Sequence, residues 1–260
     1  MPDKIEIQDI IAAVEEAAAF AEIMRETGYG DIESRNNGPN FATGADRAVE
    51  SMLRSSLSRL DEGAGFVSED DPRESRNGNN WIVDPIDGTG NFASDLDYAV
   101  SVAYEKDGEV LMGAVCCTGM GMTFYAEKGK GSRAAAIGSN MPEVLKLPKK
   151  RKDRGNLLFG MPRHPEKIAR MLGTVASVAD LFNDTKRMGP TSIDICRTVS
   201  GTACVYIGIE PEIWDIAAAG LVVSEAGGKV VRPEGTDIII MGHGEFVDKM
   251  CAILGYEENA

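Results

Sequence analysis

The chain has 260 residues, of which 43% are hydrophobic, enough for a large buried core in two modest domains or one large domain. Its formal net charge of −14 gives a surface that repels nucleic acid and anionic membranes, which argues against both as partners. No apolar run is long enough to cross a membrane, and the first residues do not resemble a secretory signal. Five cysteines without metal-type spacing predict reduced thiols in a cytoplasmic protein.

The first half of the chain predicts two helices followed by a sheet. Apolar residues recur at helical spacing from Ile7 to Ala21, and a second helix is expected to begin at Thr43. The short strand GFVS leads into a group of acids, and WIV is expected to be a buried strand. Three β-type segments joined by tight turns predict an antiparallel meander, and they read YAVSVAYE, VLMGAVCCT and MTFYAEKG.

The second half of the chain begins after a basic run, Lys149–Lys152, which is expected to be a solvated loop. Beyond it, the strands NLLFG, CVYIGI, KVV and DIIIM alternate with helices predicted over residues 165–182, 192–199, 215–226 and from Glu245 onward. This alternation predicts an α/β unit. We therefore expect an N-terminal α+β half at residues 1–147 and a C-terminal α/β half at residues 148–260.

The segment WIVDPIDGTGNF, at residues 81–92, places two carboxylates at the end of a buried strand. If ionised about 4 Å apart, Asp84 and Asp87 would repel each other by roughly 4 kcal/mol at an effective dielectric near 20. A hard divalent cation such as Mg²⁺ would offset this repulsion, because it prefers oxygen ligands and shares its coordination shell with a substrate phosphate. The motif therefore predicts a cation site beside a phosphate, although Asp-Pro and Asp-Gly also mark ordinary turns.

The neighbours of these two acids suit the same chemistry. Pro85 stiffens the link between them and leaves the carbonyl of Ile86 free to face the site. Gly88 and Thr89 then offer backbone N–H groups to a phosphate, as loops that open a helix often do.

Three further acids have two interpretations when each is taken alone. Asp46 lies in the first turn of a predicted helix, where the helix dipole stabilises an acid. Glu69 lies in a loop, where surface acids are common. Asp215 opens the segment WDIAAAGLVVSEAGG, whose small residues allow close helix packing and whose final glycines suit a helix end. The presence of this second segment together with WIVDPIDGTGNF favours a functional role for Asp215.

The segments WIVDPIDGTGNF and WDIAAAGLVVSEAGG, in this order, resemble the two signatures of the inositol monophosphatase family, which are Mg²⁺-dependent and lithium-sensitive phosphatases. The likeness extends from TGADRAVE to Gly228. It implies an αβαβα sandwich, in which an N-terminal antiparallel sheet with helices precedes a smaller α/β half. It also implies a homodimer that hydrolyses a small phosphorylated metabolite.

The resemblance further implies a role for each matching residue. Metal binding, with two or three Mg²⁺ ions per site, is implied for Glu69, Asp84, Ile86 (through its carbonyl), Asp87 and Asp215. Activation of the attacking water is implied for Asp46, Thr89 and Glu69. Phosphate binding is implied for Asp87, Gly88 and Thr89. Substrate contacts are expected from Met161, Asp194, Gly208 and Asp215.

Several positions depart from the family pattern, mainly where the substrate alcohol would bind. Asp70 stands where the family usually has a second glutamate, and Gly90 where inositol enzymes commonly have threonine. Gly208 stands where many carry a glutamate for the sugar hydroxyls, and Met161 replaces a small polar residue. We expect the opening left by Gly208 to admit a bulkier or less hydroxylated leaving group.

The identity of the substrate is therefore open at the level of sequence. Alternatives to an inositol phosphate are histidinol phosphate, fructose 1,6-bisphosphate, NADP and 3′-phosphoadenosine phosphate. Arg163 or Arg187 could meet a charged substrate, although such arginines are more often structural or merely solvated. An inactive scaffold that keeps the fold for interactions is disfavoured, because the principal acids and Thr89 are all present. His164 and His243 are expected to be ordinary surface or core residues.

Overall fold

The structure is a computed structural model that describes residues 5–28, 33–35, 40–72 and 78–256, without the side chains of residues 33–35 and 40–42. Its helices are α1 (Ile7–Thr27), α2 (Gly44–Ser58), α3 (Thr89–Phe92), α4 (Pro165–Val178), α5 (Thr191–Val199), α6 (Ile213–Glu225) and α7 (Gly244–Leu254). None of these described helices is long and apolar enough to cross a membrane.

The strands form two large sheets and one short antiparallel pair, β1 (Glu33–Arg35) with β2 (Asn40–Ala42). The larger sheet has seven strands in sequence order, which are β3 (Gly65–Ser68), β4 (Asn79–Asp87), β5 (Ala99–Lys106), β6 (Glu109–Cys117), β7 (Met122–Glu127), β8 (Gly131–Ala136) and β9 (Glu143–Leu145). The smaller sheet has five strands in the spatial order β11 (Asp184–Lys186), β10 (Asn156–Phe159), β12 (Val205–Ile209), β14 (Ile238–Gly242) and β13 (Lys229–Val231).

Helices and sheets alternate in five layers. Helices α1 and α2 cover one face of the seven-stranded sheet through a core that includes Ile10, Leu53 and Trp81. Helices α5 and α6 share a second core with the facing sides of both sheets, and α4 and α7 cover the outer face of the five-stranded sheet. The expected αβαβα sandwich is therefore confirmed.

The alanine-rich helix α6 packs closely against the seven-stranded sheet, as its small residues predict. A Cβ atom at Gly113 of β6 would lie 2.8 Å from the Cα atom of Ala218, so this contact has no room for a larger side chain. At the start of the helix, Ser101 of β5 donates a hydrogen bond to the carbonyl of Trp214 over 3.4 Å. These contacts hold the N-terminal turn of α6, which carries Asp215, against the sheet.

The sequence patterns missed five strands, β1, β2, β8, β9 and β11, and extended one helix too far. Strands β1 and β2 have 3 residues each. Strand β8 reads GSRAAA, which lacks the β-branched and aromatic residues typical of strands. Strands β9 and β11 have only 3 residues each, too few to show a period. The helix predicted over residues 165–182 ends at Val178, and a 3-10 turn at Ala179–Leu181 follows it.

The connection between the two sheets contains the basic run, and one of its residues has a structural role. Arg151 donates hydrogen bonds to the carbonyls of Ala203, over 3.0 Å, and Gly201, over 3.4 Å. Lys149, Lys150 and Lys152 are exposed, as expected for a solvated loop. The division after residue 147 stays a prediction: it separates the strands of the two sheets, yet α5 and α6 share one core with both.

Candidate active site

A cleft of about 770 Å³ is lined by residues from both sheets and from the helices between them. The end of β4 and helix α3 contribute from the first half of the chain, and the end of β12 and the start of α6 contribute from the second. The predicted site residues that line this cleft are Glu69, Asp84, Ile86, Asp87, Gly88, Thr89, Met161, Gly208 and Asp215.

An irregularity in β4 brings the two acids of the central motif to the same side of the strand. In a regular strand, residues three apart point to opposite faces. Here Asp84 pairs with Ser101 but Asp87 pairs with Ala99, so two residues of β4 oppose one residue of β5. The extra residue in the Pro85-Ile86 segment corrects the alternation, and both carboxylates reach the cleft.

Asp84, Asp87 and Asp215 form a compact cluster, in which one carboxylate oxygen of each lies within 4.8 Å of the others. Burial raises the pKa of Asp84 well above its usual value, and the charges of Asp87 and Asp215 raise it further. Burial, followed by the charge of Asp87, also raises the pKa of Asp215. Ionised carboxylates this close together and this buried need a compensating positive charge.

The N-terminus of α5 orients Asp87. Its Oδ2 atom accepts hydrogen bonds from the backbone N–H and the hydroxyl of Ser192, over 2.6 and 2.5 Å, and its Oδ1 atom accepts one from the backbone N–H of Thr191 over 3.1 Å. Burial raises the pKa of Asp87 to about 6, while these hydrogen bonds lower it. Thr191 and Ser192 were not predicted as site residues, although hydroxyl residues after Pro190 at a helix start are a signal visible in the sequence.

The cluster suits a hard divalent cation, because Mg²⁺ and Ca²⁺ take carboxylate and carbonyl oxygens as ligands. Among the described residues, no other group of His, Cys, Asp or Glu side chains converges in this way. The carbonyl of Ile86 lies at the same cleft, with its oxygen 3.2 Å from the hydroxyl oxygen of Thr89. Glu69 lines the cleft as well, but its carboxylate is outside the group that meets within 4.8 Å.

Asp46 uses its two carboxylate oxygens for different partners. Its Oδ2 atom accepts hydrogen bonds from the backbone N–H and the hydroxyl of Thr43, both over 2.7 Å, in a capping box at the start of α2. Its Oδ1 atom accepts a hydrogen bond from the hydroxyl of Thr89 over 2.9 Å. The interpretation of Asp46 as a helix-start acid is therefore confirmed, and it is compatible with a functional role through the other oxygen.

Gly88 tolerates no side chain, for two reasons. Its φ angle of 89° lies in the left-handed region, which favours glycine. A Cβ atom at this position would also lie 2.7 Å from the Cγ atom of Pro190. The turn between β4 and α3 therefore packs directly on the segment that begins α5, which keeps Asp87 close to its hydrogen-bond donors.

Asp194 does not line the cleft, which corrects its prediction as a direct substrate contact. The residue is 1% exposed, and its Oδ2 atom accepts a hydrogen bond from the backbone N–H of Met188 over 3.4 Å. Its Oδ1 atom has no hydrogen-bond partner among the described residues. Burial raises the pKa of Asp194 to about 7. The sequence showed an acid near a helix start but not which face of that helix lines the cleft.

The space beside Gly208 is filled, so the expectation of an opening there was wrong. A Cβ atom at Gly208 would lie 2.9 Å from the hydroxyl oxygen of Tyr206, and a Cβ atom at Gly160 would collide with the same oxygen. Tyr206 and Gly208 share one face of β12, because residues two apart in a strand point the same way. The buried phenol of Tyr206 therefore occupies the volume that both glycines leave, and it lines the cleft.

The chain matches known proteins over most of its length. The model of the inositol monophosphatase family matches residues 6–253. An inositol-1-monophosphatase of Mycobacterium leprae is 28% identical over an alignment of 262 residues, gaps included, which covers 92% of this chain and 89% of that protein. Human inositol monophosphatase 1 is 26% identical over 212 residues, which cover 78% of this chain and 74% of the human protein.

Solved structures have the same fold. The extragenic suppressor protein SuhB of Bartonella henselae superposes with a TM-score of 0.81 at 25% identity, over 95% of this chain and 97% of that chain. Inositol monophosphatase-II of Staphylococcus aureus superposes with a TM-score of 0.76 at 19% identity, over 94% of this chain and 93% of that chain. The second likeness concerns the fold alone.

Proposed function

Because this chain belongs to the inositol monophosphatase family and is a phosphoric monoester hydrolase, we propose that it releases phosphate from a small phosphorylated alcohol with Mg²⁺ as its cofactor. The observation that carries this proposal is the meeting of three buried or half-buried carboxylates with the Thr89–Asp46 pair. Such a site combines ligands for a hard cation with a group that can take a proton from water.

Metal binding, with two or three ions per site, is proposed for Glu69, Asp84, Asp87, Asp215 and the carbonyl of Ile86. The mutual repulsion and the raised pKa of the clustered acids support this, because a bound cation would relieve both. When bound, the ions would supply positive charge to the phosphate oxygens and to the departing oxygen. The donors at the start of α5 would keep the Asp87 carboxylate oriented toward them.

Thr89 and Asp46 are proposed to activate the attacking water, with Glu69 beside them at the cleft. Because the Thr89 hydroxyl donates its hydrogen bond to Asp46, the lone pairs of the Thr89 oxygen can accept one from water. A proton then moves from water to Thr89 as the Thr89 proton moves to Asp46. The water oxygen forms the new bond to phosphorus and the bond to the leaving alcohol breaks. The leaving oxygen takes up a proton from solvent water, and Asp46 returns its proton to solvent.

Phosphate binding is proposed for the backbone N–H groups of Gly88 and Thr89, next to Asp87. These groups lie at the start of α3, where the first N–H groups of a helix have no partner within the helix. Both residues line the cleft that contains the carboxylate cluster, which supports the proposal.

For the substrate, we propose that myo-inositol 1-phosphate is hydrolysed but is not the best substrate. Relatives in the family are inositol-1-monophosphatases, which supports the first part. The second part is supported by Gly208, which provides no carboxylate for a sugar hydroxyl, and by the neutral phenol of Tyr206 beside it. A buried hydroxyl left without a partner costs about 1–3 kcal/mol. Histidinol phosphate, fructose 1,6-bisphosphate, NADP and 3′-phosphoadenosine phosphate are the alternatives.

A phosphate-release assay with these five compounds tests the proposed reaction and its cofactor. We expect turnover that requires Mg²⁺, stops when EDTA is added, and returns when Mg²⁺ is restored. Equal activity after thorough chelation would contradict the metal requirement. If none of the five compounds released phosphate, the result would favour the inactive scaffold instead.

The same assay tests the substrate proposal. A preference for myo-inositol 1-phosphate of tenfold or more in kcat/KM, which is about 1.4 kcal/mol in transition-state binding, would contradict it. Lithium ions are expected to inhibit turnover, because the family is lithium-sensitive. Activity that lithium does not change would contradict the expected lithium sensitivity and leave the Mg²⁺ proposal standing.

A homodimer, expected from the resemblance, and a cytoplasmic location, predicted from the cysteines, stay predictions. Analytical ultracentrifugation of the purified protein checks the first of them. A sedimenting mass equal to one chain would contradict the dimer.

A further inference from the structure

Two arginines at the cleft lack partners within the part of the chain that the structure describes. Arg163 and Arg187 are exposed and line the same cleft as the carboxylate cluster. Neither forms an ion pair or a hydrogen bond with another described residue. Acidic side chains outnumber basic ones by 41 to 27, so carboxylate partners are abundant on this protein. Two unpaired guanidiniums at one cleft point to an anion that comes from solution.

Other charges at the cleft do not cancel these two. Lys167 and Glu210 form an ion pair with each other. Glu212, an exposed acid at the N-cap of α6, is the one further carboxylate of the cleft outside the four of the proposed metal site, whose negative charge the bound cations would offset. The N-terminus of α4, at His164, opens on the same cleft, and the helix dipole favours an anion there.

The cleft wall at Gly208 is uncharged and does not repel an anion. Gly208 has no side chain, and the phenol of Tyr206 fills the adjacent space. Burial raises the pKa of Tyr206, so its hydroxyl stays neutral at physiological pH. A carboxylate at this position would have opposed a second negative charge on the substrate.

We propose that the substrate carries a second phosphate group on its leaving alcohol, and that Arg163 and Arg187 bind this group. A guanidinium suits a phosphate because its planar N–H groups form paired, charge-assisted hydrogen bonds. A cleft of about 770 Å³ has room for a phosphorylated sugar or nucleoside. The inference rests on the proposed function, because the first phosphate must be the one that is hydrolysed at the carboxylate cluster.

Substrate pairs that differ only in the second phosphate test this inference. We compare fructose 1,6-bisphosphate with fructose 1-phosphate at a fixed Mg²⁺ concentration. In the same way we compare 3′-phosphoadenosine phosphate, which is adenosine 3′,5′-bisphosphate, with adenosine 3′-monophosphate. In at least one pair, kcat/KM is expected to favour the bisphosphate by about tenfold or more, mainly through KM. The Arg163→Gln/Arg187→Gln double variant is expected to reduce this ratio toward one, because an amide cannot form a charge-assisted pair with phosphate.

Arg232→Gln is the matched control, since Arg232 is exposed, follows β13 and does not line the cleft. This variant is expected to keep the wild-type ratio. A ratio near one for both pairs in the wild type, with the monophosphates hydrolysed, would overturn the inference and leave the proposed function standing. A ratio that the double variant keeps would overturn the role of the arginines. Hydrolysis of none of the four compounds, with myo-inositol 1-phosphate hydrolysed, would overturn this inference and leave the proposed function standing. Failure to hydrolyse myo-inositol 1-phosphate as well would overturn both.

Discussion

The cleft has two parts that differ in how their residues are held. The phosphate part consists of Asp84, Asp87, Thr89 and Asp215, which line the cleft, and of Asp46, which does not line it but accepts the hydrogen bond of Thr89. The leaving-group part consists of Met161, Arg163, Arg187, Tyr206 and Gly208. Four of the five residues in the first part are buried, and hydrogen bonds from the starts of α2, α3 and α5 hold the carboxylates of Asp46 and Asp87. In the second part both arginines are exposed, and only Tyr206 is a large buried side chain.

This difference separates the chemistry of the site from its specificity. A buried, hydrogen-bonded group cannot be altered without leaving a partner unsatisfied, which costs about 1–3 kcal/mol. Exposed side chains on loops can change with little effect on the fold. Substitutions in the phosphate part should therefore change kcat or metal affinity, whereas those in the leaving-group part should change KM and substrate preference.

The largest effect is expected from removing the proton acceptor of the phosphate part. In Asp46→Asn the amide oxygen can still accept from Thr43, but the amide nitrogen then faces Thr89 and cannot accept its hydrogen bond. We expect kcat to fall by about 10²–10⁴-fold, as for the loss of a positioned proton acceptor, while Mg²⁺ affinity changes little. Thr89→Ala is expected to do the same. Steady-state kinetics and Mg²⁺ titration measure both quantities.

Asp9→Asn is the control for helix capping. Asp9 is the equivalent acid in the capping box of α1, where it accepts a hydrogen bond from the backbone N–H of Glu6 over 2.9 Å. Its variant should change thermal stability slightly and leave kcat alone. If Asp46→Asn behaved in the same way, the role of Asp46 would be structural only.

A smaller effect is expected from loosening Asp87. In Ser192→Ala the carboxylate loses the hydroxyl donor at 2.5 Å but keeps the two backbone donors of α5. Residues that orient a metal ligand typically contribute about 10–100-fold in affinity, so we expect the Mg²⁺ concentration at half-maximal activity to rise within that range. Thr198→Ala, which removes a buried hydroxyl bonded within the same helix, should leave this concentration unchanged.

In the leaving-group part, Gly208 and Tyr206 should behave as a coupled pair. A methyl group in Gly208→Ala would lie 2.9 Å from the Tyr206 hydroxyl, and such overpacking typically costs about 1–3 kcal/mol of stability. The cost should shrink when the hydroxyl is first removed in Tyr206→Phe. Urea unfolding of the two single variants and the double variant measures this coupling. Additive changes would mean that the phenol does not fill the space beside Gly208.

The effect of Asp194→Asn is expected to be confined to stability and to depend on pH. Burial raises the pKa of Asp194 to about 7 in the folded protein, from about 3.9 in an unfolded chain. Between these values the folded state holds a proton that the unfolded state has lost, so the wild type loses stability as pH rises through this window. The melting temperature of Asp194→Asn relative to wild type should therefore rise from about pH 4 to 7 and then level off. A constant difference would contradict the raised pKa.

The phosphate part was largely predictable from sequence because its residues lie in short local motifs. Asp84, Asp87 and Thr89 lie within six consecutive residues, residues 84–89, at the end of an apolar strand. Asp215 was recognised through the resemblance of its segment, since nothing local to a helix start identifies a ligand. The β-bulge that aligns the two central acids was not predicted, because it depends on the register with β5.

The leaving-group part was less predictable because it depends on contacts between distant segments. The absence of a side chain at Gly208 was visible in the sequence. The phenol that fills its space comes from Tyr206, two residues earlier in the same strand, and also requires Gly160 of another segment. Asp194 was misplaced for a related reason, since its burial is set by how α5 packs between the sheets. Sequence therefore predicted which groups are present more accurately than which groups face the cleft.

Thermal unfolding of the metal-free protein with and without Mg²⁺ tests the central claim most directly, which is that Asp84, Asp87 and Asp215 form a cation site. Ligand binding to the folded state should raise the melting temperature of the wild type, with a stabilisation of about 2.7 kcal/mol at a concentration 100 times Kd. Metal-free Asp84→Asn should melt above the metal-free wild type, because one repelling charge is gone, and should respond little to Mg²⁺. A wild type that melts at the same temperature with Mg²⁺ and after chelation would contradict the claim, as would an Asp84→Asn variant that responds like the wild type.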